Sequence, residues 1–219
     1  MEEFQRHLNN LDDELLELLS LRQEFKINCK NFKVLELGGH NLEDCFTSKL
    51  DNMIFNYELK NHSKKRTLFN MNLKEEELYE DLNLSRVIKY SYFNFLYDFC
   101  IFGDEEDNSD LVCKLDMEIL FKIVERVHFA YNVIKLKYIN NMEFYNKLVR
   151  SNDSSFVLYY LSNYIYQPTY LDIIKDKCIK YKLCDVLVCT FYKNVILPYY
   201  NEIQLHFCNH IKKKIKDKS

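Results

Sequence analysis

The apolar positions of this chain return at helical spacing along most of its length. Leu8, Leu11, Leu15, Leu18 and Leu19 recur at short helical steps, which predicts a first helix from Leu8 to about Asn28. Gly38-Gly39 mark a turn, a second helical stretch runs from about Leu42 to Leu59, and the polar run Asn61–Arg66 breaks it. Short helices are expected over Lys74–Asp81 and Ser85–Phe102. The acidic run Gly103–Asp110 reads as a solvated loop and the clearest internal boundary, and it lacks the Asp-x-Asp-x-Asp-Gly order of a calcium loop. Beyond it the pattern predicts a long helix from Asp116 to about Ile139, then a shorter one near Glu143–Val149. A break at Ser151–Asp153 precedes a helical region from Ser155 to Lys180, interrupted near Pro168, and a final long helix from about Cys184 to Lys214. No repeat of solenoid period is visible. The expected fold is all-α, a helical bundle, in one domain over residues 1–219.

Composition agrees with this. A chain of 219 residues with 47% hydrophobic positions, 3 Gly and 2 Pro is poor material for turn-rich β architectures. Its length allows a full core without disulfides or metal, and 17 Tyr and 16 Phe supply large core side chains in the absence of Trp. A net charge of −3 and a pI near 6.1 speak against nucleic-acid binding, which needs a basic footprint. The lysine-rich tail from His210 to Lys218 reads as a solvated helix end whose cations complement the macrodipole. A nucleic-acid or membrane adaptor would rest on that tail alone, and neither partner is expected. The eight cysteines include no Cys-x-x-Cys pair, and no signal-like segment stands at Met1–Asn10, so reduced thiols in a cytoplasmic protein are expected. His206 and His210 have chelating spacing but no accompanying motif, and no metal is expected. No apolar run suggests a membrane span.

Against this background one helix face is unusual. Arg126, Ala130, Val133 and Lys137 fall at i, i+4, i+7 and i+11, so a single stripe of the long, otherwise apolar helix carries two cations. Buried cations need anions, and the small Ala130 between them leaves room. Two readings stay open on pattern alone: a pair of internal salt bridges, or a cavity that holds an anionic ligand.

Several segments then agree in order and spacing with one family. Glu125-Arg126-Val127-His128-Phe129 followed by Lys137, Phe144-Tyr145-Asn146-Lys147-Leu148-Val149 and Phe191-Tyr192-Lys193-Asn194-Val195-Ile196-Leu197-Pro198 together resemble the eukaryotic, all-helical chorismate mutases over about Asp116–His210. Leu8–Leu15 is similar to that family's first helix, more weakly. The resemblance implies rearrangement of chorismate to prephenate, on the way to phenylalanine and tyrosine, without metal or cofactor, in a cytoplasmic homodimer. Catalysis would come from holding the enolpyruvyl arm over the ring and stabilising charge on the breaking ether oxygen. Arg126 would clamp one substrate carboxylate, and Lys137 would serve another anion and the ether oxygen. By the same resemblance Asn163 and Gln167 would bind substrate, with Gln167 standing for a carboxylate, and Tyr200 and Gln204 would take the last helix's two site positions. Gln204 in place of a glutamate donates at any pH, so no acid optimum is expected.

Three departures accompany the match. The family's first helix offers an arginine to the substrate where this chain has Asp12 or Asp13, and a carboxylate there repels a dianion. Pro168 directly follows Gln167, and Tyr200 replaces a small hydroxyl residue. The family's regulatory arginines are missing near Tyr57-Glu58-Leu59, and its Gly-Ser loop reads Ser109-Asp110-Leu111, so feedback control is not expected. The alternative function is a slow or inactive chorismate-mutase-like helical protein kept for binding or scaffolding.

Overall fold

Ser109–Asn140 forms one unbroken helix of 32 residues, about 48 Å long at 1.5 Å per residue. The computed structural model describes residues 2–28, 84–105, 107–151, 153–162 and 168–216. In chain order the helices are α1 (Glu2–Arg22), α2 (Ser85–Phe99), α3 (Ser109–Asn140), α4 (Met142–Arg150), α5 (Ser154–Ser162), α6 (Pro168–Tyr181), α7 (Asp185–Phe191) and α8 (Leu197–Lys216), with a π-helical turn (Tyr192–Ile196) between the last two. Among the described residues there is no strand beyond an isolated bridge between Lys26 and Ile101. The all-α expectation holds.

A helix can be apolar on most sides only if other helices cover it. Along α3, Val112, Leu115, Ile119, Leu120, Ile123, Val127, Ala130 and Ile134 are all buried, because α1 and α8 both lie along it. The remaining helices close the sides: α2 packs on α3 and α7, α6 on α1 and α7, and α4 and α5 on α8.

α1 is fixed to α3 by two buried ion pairs of opposite sense. Asp12 of α1 meets Arg126 of α3 at 2.7 Å, and Arg22 of α1 meets Asp116 of α3 at 2.6 Å. Ten residues separate the members on each helix, in opposite chain directions, so the helices are antiparallel and in fixed register. At the surface, Lys122 holds Glu14 at 2.5 Å in the same register.

The boundaries correct the sequence reading in three places. The first helix ends at Arg22 instead of Asn28, because Arg22 turns the chain around itself. Its guanidinium donates to the carbonyls of Phe25 at 3.3 Å, Lys26 at 3.0 Å and Ile27 at 3.1 Å, and Asn28 then takes a left-handed φ of 64°. The helix after Ser85 stops at Phe99 rather than Phe102, since the following segment pairs with this turn. The Ile27 amide donates to the Ile101 carbonyl at 2.9 Å and the Asn28 amide to Gly103 at 2.8 Å, where Gly103 has φ of 138° and Lys26 would crowd any Cβ. Finally, α3 begins at Ser109, inside the run read as a loop, because buried Val112 and Leu115 continue its apolar face. Pro168 opens α6, a position where its missing amide costs nothing. Gly38-Gly39, the stretch Leu42–Leu59, the break Asn61–Arg66 and the helix Lys74–Asp81 lie outside the described residues.

The Arg22–Asp116 pair also takes the Tyr92 hydroxyl, which donates to Asp116 at 2.6 Å. Removing the carboxylate with Asp116→Ala strands a buried guanidinium and is expected to cost about 3–5 kcal/mol. Tyr92→Phe should cost about 1 kcal/mol. Urea unfolding checks both, and equal losses for the two variants would contradict this ranking.

Candidate active site

Five elements converge on Arg126. α3 supplies the guanidinium, α1 supplies Asp12, α6 supplies Tyr170, the π turn supplies Tyr192, and α8 supplies Tyr200. Arg126 is 1% exposed and Asp12 is 0% exposed, so neither charge is shared with solvent. Nε of Arg126 donates to Asp12 Oδ1 at 2.7 Å, while Nη2 donates to the Tyr170 hydroxyl. That hydroxyl in turn donates to Asp12 Oδ2 at 2.6 Å, and the Tyr192 hydroxyl donates to Asp12 Oδ1 at 3.1 Å. Asp12 thus covers the Nε side of the guanidinium fork, with Tyr170 inserted as a relay on Nη2. The Arg126 guanidinium also stands over the Tyr200 ring at 5.2 Å and the Tyr170 ring at 5.6 Å, distances at which a cation is attracted to a π face.

The π turn is what lets one helix serve this centre twice. Over the eight residues from Tyr192 to Tyr200 a regular helix rotates about 80° past full turns. The wider π turn takes most of that rotation back, so both tyrosines reach Arg126.

α8 runs beside α3 in the same chain direction. Tyr200 lies against Arg126, Cys208 is close enough to Lys137 for the two to interact electrostatically, and Gln204 is midway between them on α8. The stripe Arg126–Lys137 therefore faces Tyr200, Gln204 and Cys208. On these facing sides several buried polar atoms have no hydrogen-bond partner among the described residues: Arg126 Nη1, the Tyr200 hydroxyl, and both the oxygen and nitrogen of the Gln204 amide. Gln204 is 0% exposed, so water does not satisfy it from the surface. Each such group costs about 1–3 kcal/mol if left unmade.

Electrostatics divide the residues by role. Burial pushes the Tyr170 and Tyr192 hydroxyls well above their ordinary range, and Asp12 adds to this, so both stay protonated donors. Burial likewise raises Tyr200. Burial works against the charge on Arg126, but Asp12 and the surrounding tyrosines hold it well above its ordinary value. Lys137 is lowered by burial to about 8. Burial lowers His128, in the middle of the same helix, to about 4, and raises the Cys208 thiol to about 12.

Of the residues named from sequence, Arg126 and Tyr200 come together, Gln204 is one turn beyond Tyr200 on α8, and Lys137 is about three turns beyond Arg126 on α3. Asn163 and Gln167 lie outside the described residues. The choice between Asp12 and Asp13 resolves in favour of Asp12 as the buried one. Asp13 faces the surface, 3.2 Å from Lys177 and 3.8 Å from Lys180. Tyr170 and Tyr192 were not anticipated. Tyr192 stood inside the matched Phe191–Pro198 segment, but nothing in a regular helix would turn it toward Tyr200.

No protein-family model matches the chain. Its fold is that of the all-helical chorismate mutases of plants and yeasts, which superpose over nearly its whole length. The Candida albicans enzyme Aro7p, in complex with L-Trp, matches with a TM-score of 0.73 at 17% identity, covering 95% of this chain and 90% of that one. AtCM1 with tyrosine bound in its allosteric site matches at 0.70 and 19% identity over 95% and 94% of the two chains. The chloroplast enzyme of Zea mays matches at 0.66 and 17% over 95% and 93%. In sequence, the chain is 22% identical to the chorismate mutase of Saccharomyces cerevisiae over 116 residues, which span 48% of this chain and 45% of the yeast protein. No described helix is long and apolar enough to cross a membrane.

His128 allows a test of this burial. Its folded pKa of about 4 lies below the ordinary histidine value of 6.5, so between those values the unfolded chain binds a proton that the folded one refuses. Stability must therefore fall as pH drops from 6.5 towards 4. His128→Gln should remove on the order of 2 kcal/mol of that fall. Unfolding curves at pH 7 and pH 4.5 for both proteins check it, and identical acid losses would contradict it.

Proposed function

We propose that this protein is a chorismate mutase, an isomerase that rearranges chorismate to prephenate in phenylalanine and tyrosine biosynthesis. The reading is supported by the shared fold, by the similarity to the yeast enzyme, and above all by one observation. Along the face between Arg126 and Lys137 the protein buries polar groups that no described residue satisfies, Gln204 with both amide atoms, Tyr200 with its hydroxyl and Arg126 with Nη1.

The chemistry asks for nothing else. One C–O bond breaks as one C–C bond forms within a single molecule, so no nucleophile, proton transfer or cofactor is involved. The protein contributes a conformation and a charge pattern set before the reaction. Arg126, through Nη1, binds a substrate carboxylate. Lys137 provides the cation at the other end of the stripe, and Gln204 donates from Nε2 to the ether oxygen as negative charge grows there. Tyr200 closes the space over Arg126, and Asn163 and Gln167 complete the binding of the ring substituents. A cytoplasmic homodimer belongs to the same reading. Control by tryptophan or tyrosine does not: Ser109-Asp110-Leu111 form the first turn of α3, and the region around Tyr57-Glu58-Leu59 lies outside the described residues.

A second reading is favoured by a specific observation. Asp12 engages Arg126 from within, which suits a chain that keeps the fold for binding or scaffolding and turns over chorismate slowly or not at all.

Loss of chorismate absorbance with formation of prephenate separates the two. Turnover is expected, with Lys137→Ala lowering kcat by about 100-fold or more and Gln204→Leu by about 10–100-fold. No turnover by folded protein at high concentration would favour the scaffold. The pH profile is a separate test of the roles. Gln204 does not titrate, so kcat/KM should be flat between mildly acidic and neutral pH. It should then decline above a pKa of about 8 as Lys137 loses its proton. A steep rise on acidification would exclude Gln204 as the donor.

A further inference from the structure

A guanidinium has two edges that can each grip a carboxylate, Nε with one N–H of Nη2, and Nη1 with the other N–H of Nη2. On Arg126 the first edge belongs to Asp12, while the Nη1 donor of the second is buried without a partner among the described residues. The first edge is closed in an indirect way. Nε donates to Asp12 Oδ1 at 2.7 Å, but Nη2 donates to the Tyr170 hydroxyl, which donates in turn to Oδ2 at 2.6 Å. The hydroxyl stands where the second of two parallel arginine–carboxylate bonds ordinarily runs. It is a wedge in the fork.

We propose that Tyr170 is a positioning residue: its wedged hydroxyl sets the angle at which Arg126 offers its second edge, Nη1 with the remaining N–H of Nη2, to a ligand carboxylate. Asp12 and the ligand then occupy different edges, and neither displaces the other. The proposal deepens the mutase reading and rests on it for the identity of the ligand.

The wedge is held by more than its own hydroxyl. Pro168 opens α6 two residues earlier, and α6 is fastened to α1 further along. Lys177 Nζ donates to the Asn9 carbonyl at 2.8 Å and lies 3.2 Å from Asp13, and the Tyr181 hydroxyl donates to Asp13 at 3.2 Å. The Ser20 hydroxyl donates to the Tyr181 carbonyl at 2.9 Å. The carboxylate is fixed independently as well, because the Tyr192 hydroxyl donates to Asp12 Oδ1 at 3.1 Å. With both sides of the gap anchored, the guanidinium is the part that can turn. Take the hydroxyl away, and Nη2 and Oδ2 are two buried groups that each lack a bond. They regain it by turning the guanidinium onto Asp12, because a buried bond left unmade is costly. The second edge swings with that turn. Its angle matters because the rearrangement proceeds only from a narrow range of arm-over-ring geometries, and a misplacement of about 1 Å can cost on the order of 100-fold in rate.

Tyr170→Phe keeps the ring and the other fastenings of α6, so it is expected to fold. Its kcat should fall about ten-fold or more while KM changes less than about three-fold, the pattern of a seat that still binds but holds the arm off its reactive geometry. Crystal structures of the parent and of Tyr170→Phe should show Nη2 bonded directly to Asp12 Oδ2 in the variant, with Nη1 displaced. A water in place of the lost hydroxyl, with Arg126 unmoved, would overturn the proposal, and so would a turned guanidinium with unchanged kcat. Should the variant fail to fold, the parent soaked with malonate gives the answer. A carboxylate on the Nη1 edge, with Asp12 and Tyr170 in place, is expected, and one seated on Nε with Asp12 displaced would contradict it. The two readings fail separately. A guanidinium that turns in a protein without any turnover would remove the mutase and leave the wedge, whereas turnover with Arg126 unmoved in Tyr170→Phe would do the reverse.

Discussion

Arg126 and Asp12 are both withdrawn from water, and much of the surrounding structure follows from making that tolerable. Taking either charge alone into the core would cost several kcal/mol, and their mutual attraction offsets this only when the remaining hydrogen-bonding capacity is also met. Asp12 meets that condition through two tyrosine hydroxyls. Arg126 meets it only in part, with Nη1 left over and two aromatic faces beside it. The asymmetry separates a structural ion pair from a site. One partner is saturated, and the other still has a donor to offer.

The demands of this pair reach outward into the backbone. A hydroxyl at Tyr192 meets Asp12 and a ring at Tyr200 meets Arg126 because the last helix is locally unwound at the π turn. π turns are uncommon because their hydrogen bonds are poorer than those of an α-helix, and they tend to persist where a side chain needs re-aiming. Here the re-aimed residue belongs to the same cluster as the unpartnered amide of Gln204.

The helices themselves were legible because their apolar residues repeat at helical steps, and the cations at Arg126 and Lys137 were conspicuous because the stripe around them is apolar. The ends of helices were less legible for a physical reason. Arg22 stops α1 by collecting three carbonyls that are distant from any local capping signal, and Val112 and Leu115 extend α3 through a segment whose charged residues face outward. The sequence could place a carboxylate where the family's first helix has its arginine, but not say which of Asp12 and Asp13 it was. That depends on helix phase, and phase is settled by packing against α3. Nor could it indicate that the carboxylate would be welcomed. Read against a dianionic substrate, Asp12 is a source of repulsion, whereas in the folded chain it is the partner that makes a buried arginine possible. Tyr170 was invisible because its role comes from tertiary proximity alone.

The two buried pairs between α1 and α3 carry a further meaning when taken together. α1 presents its acid first and its base ten residues later, and α3 presents the base and acid in the mirrored order. Docked in the parallel sense, the same faces would set Asp12 against Asp116 and Arg22 against Arg126, like charge on like in a dry interior. A slip of one turn would leave all four charges without counterions. The arrangement is a lock with a directional key: were the polypeptide cut just beyond Asn28, the freed N-terminal segment would have one orientation, and one register, in which to return.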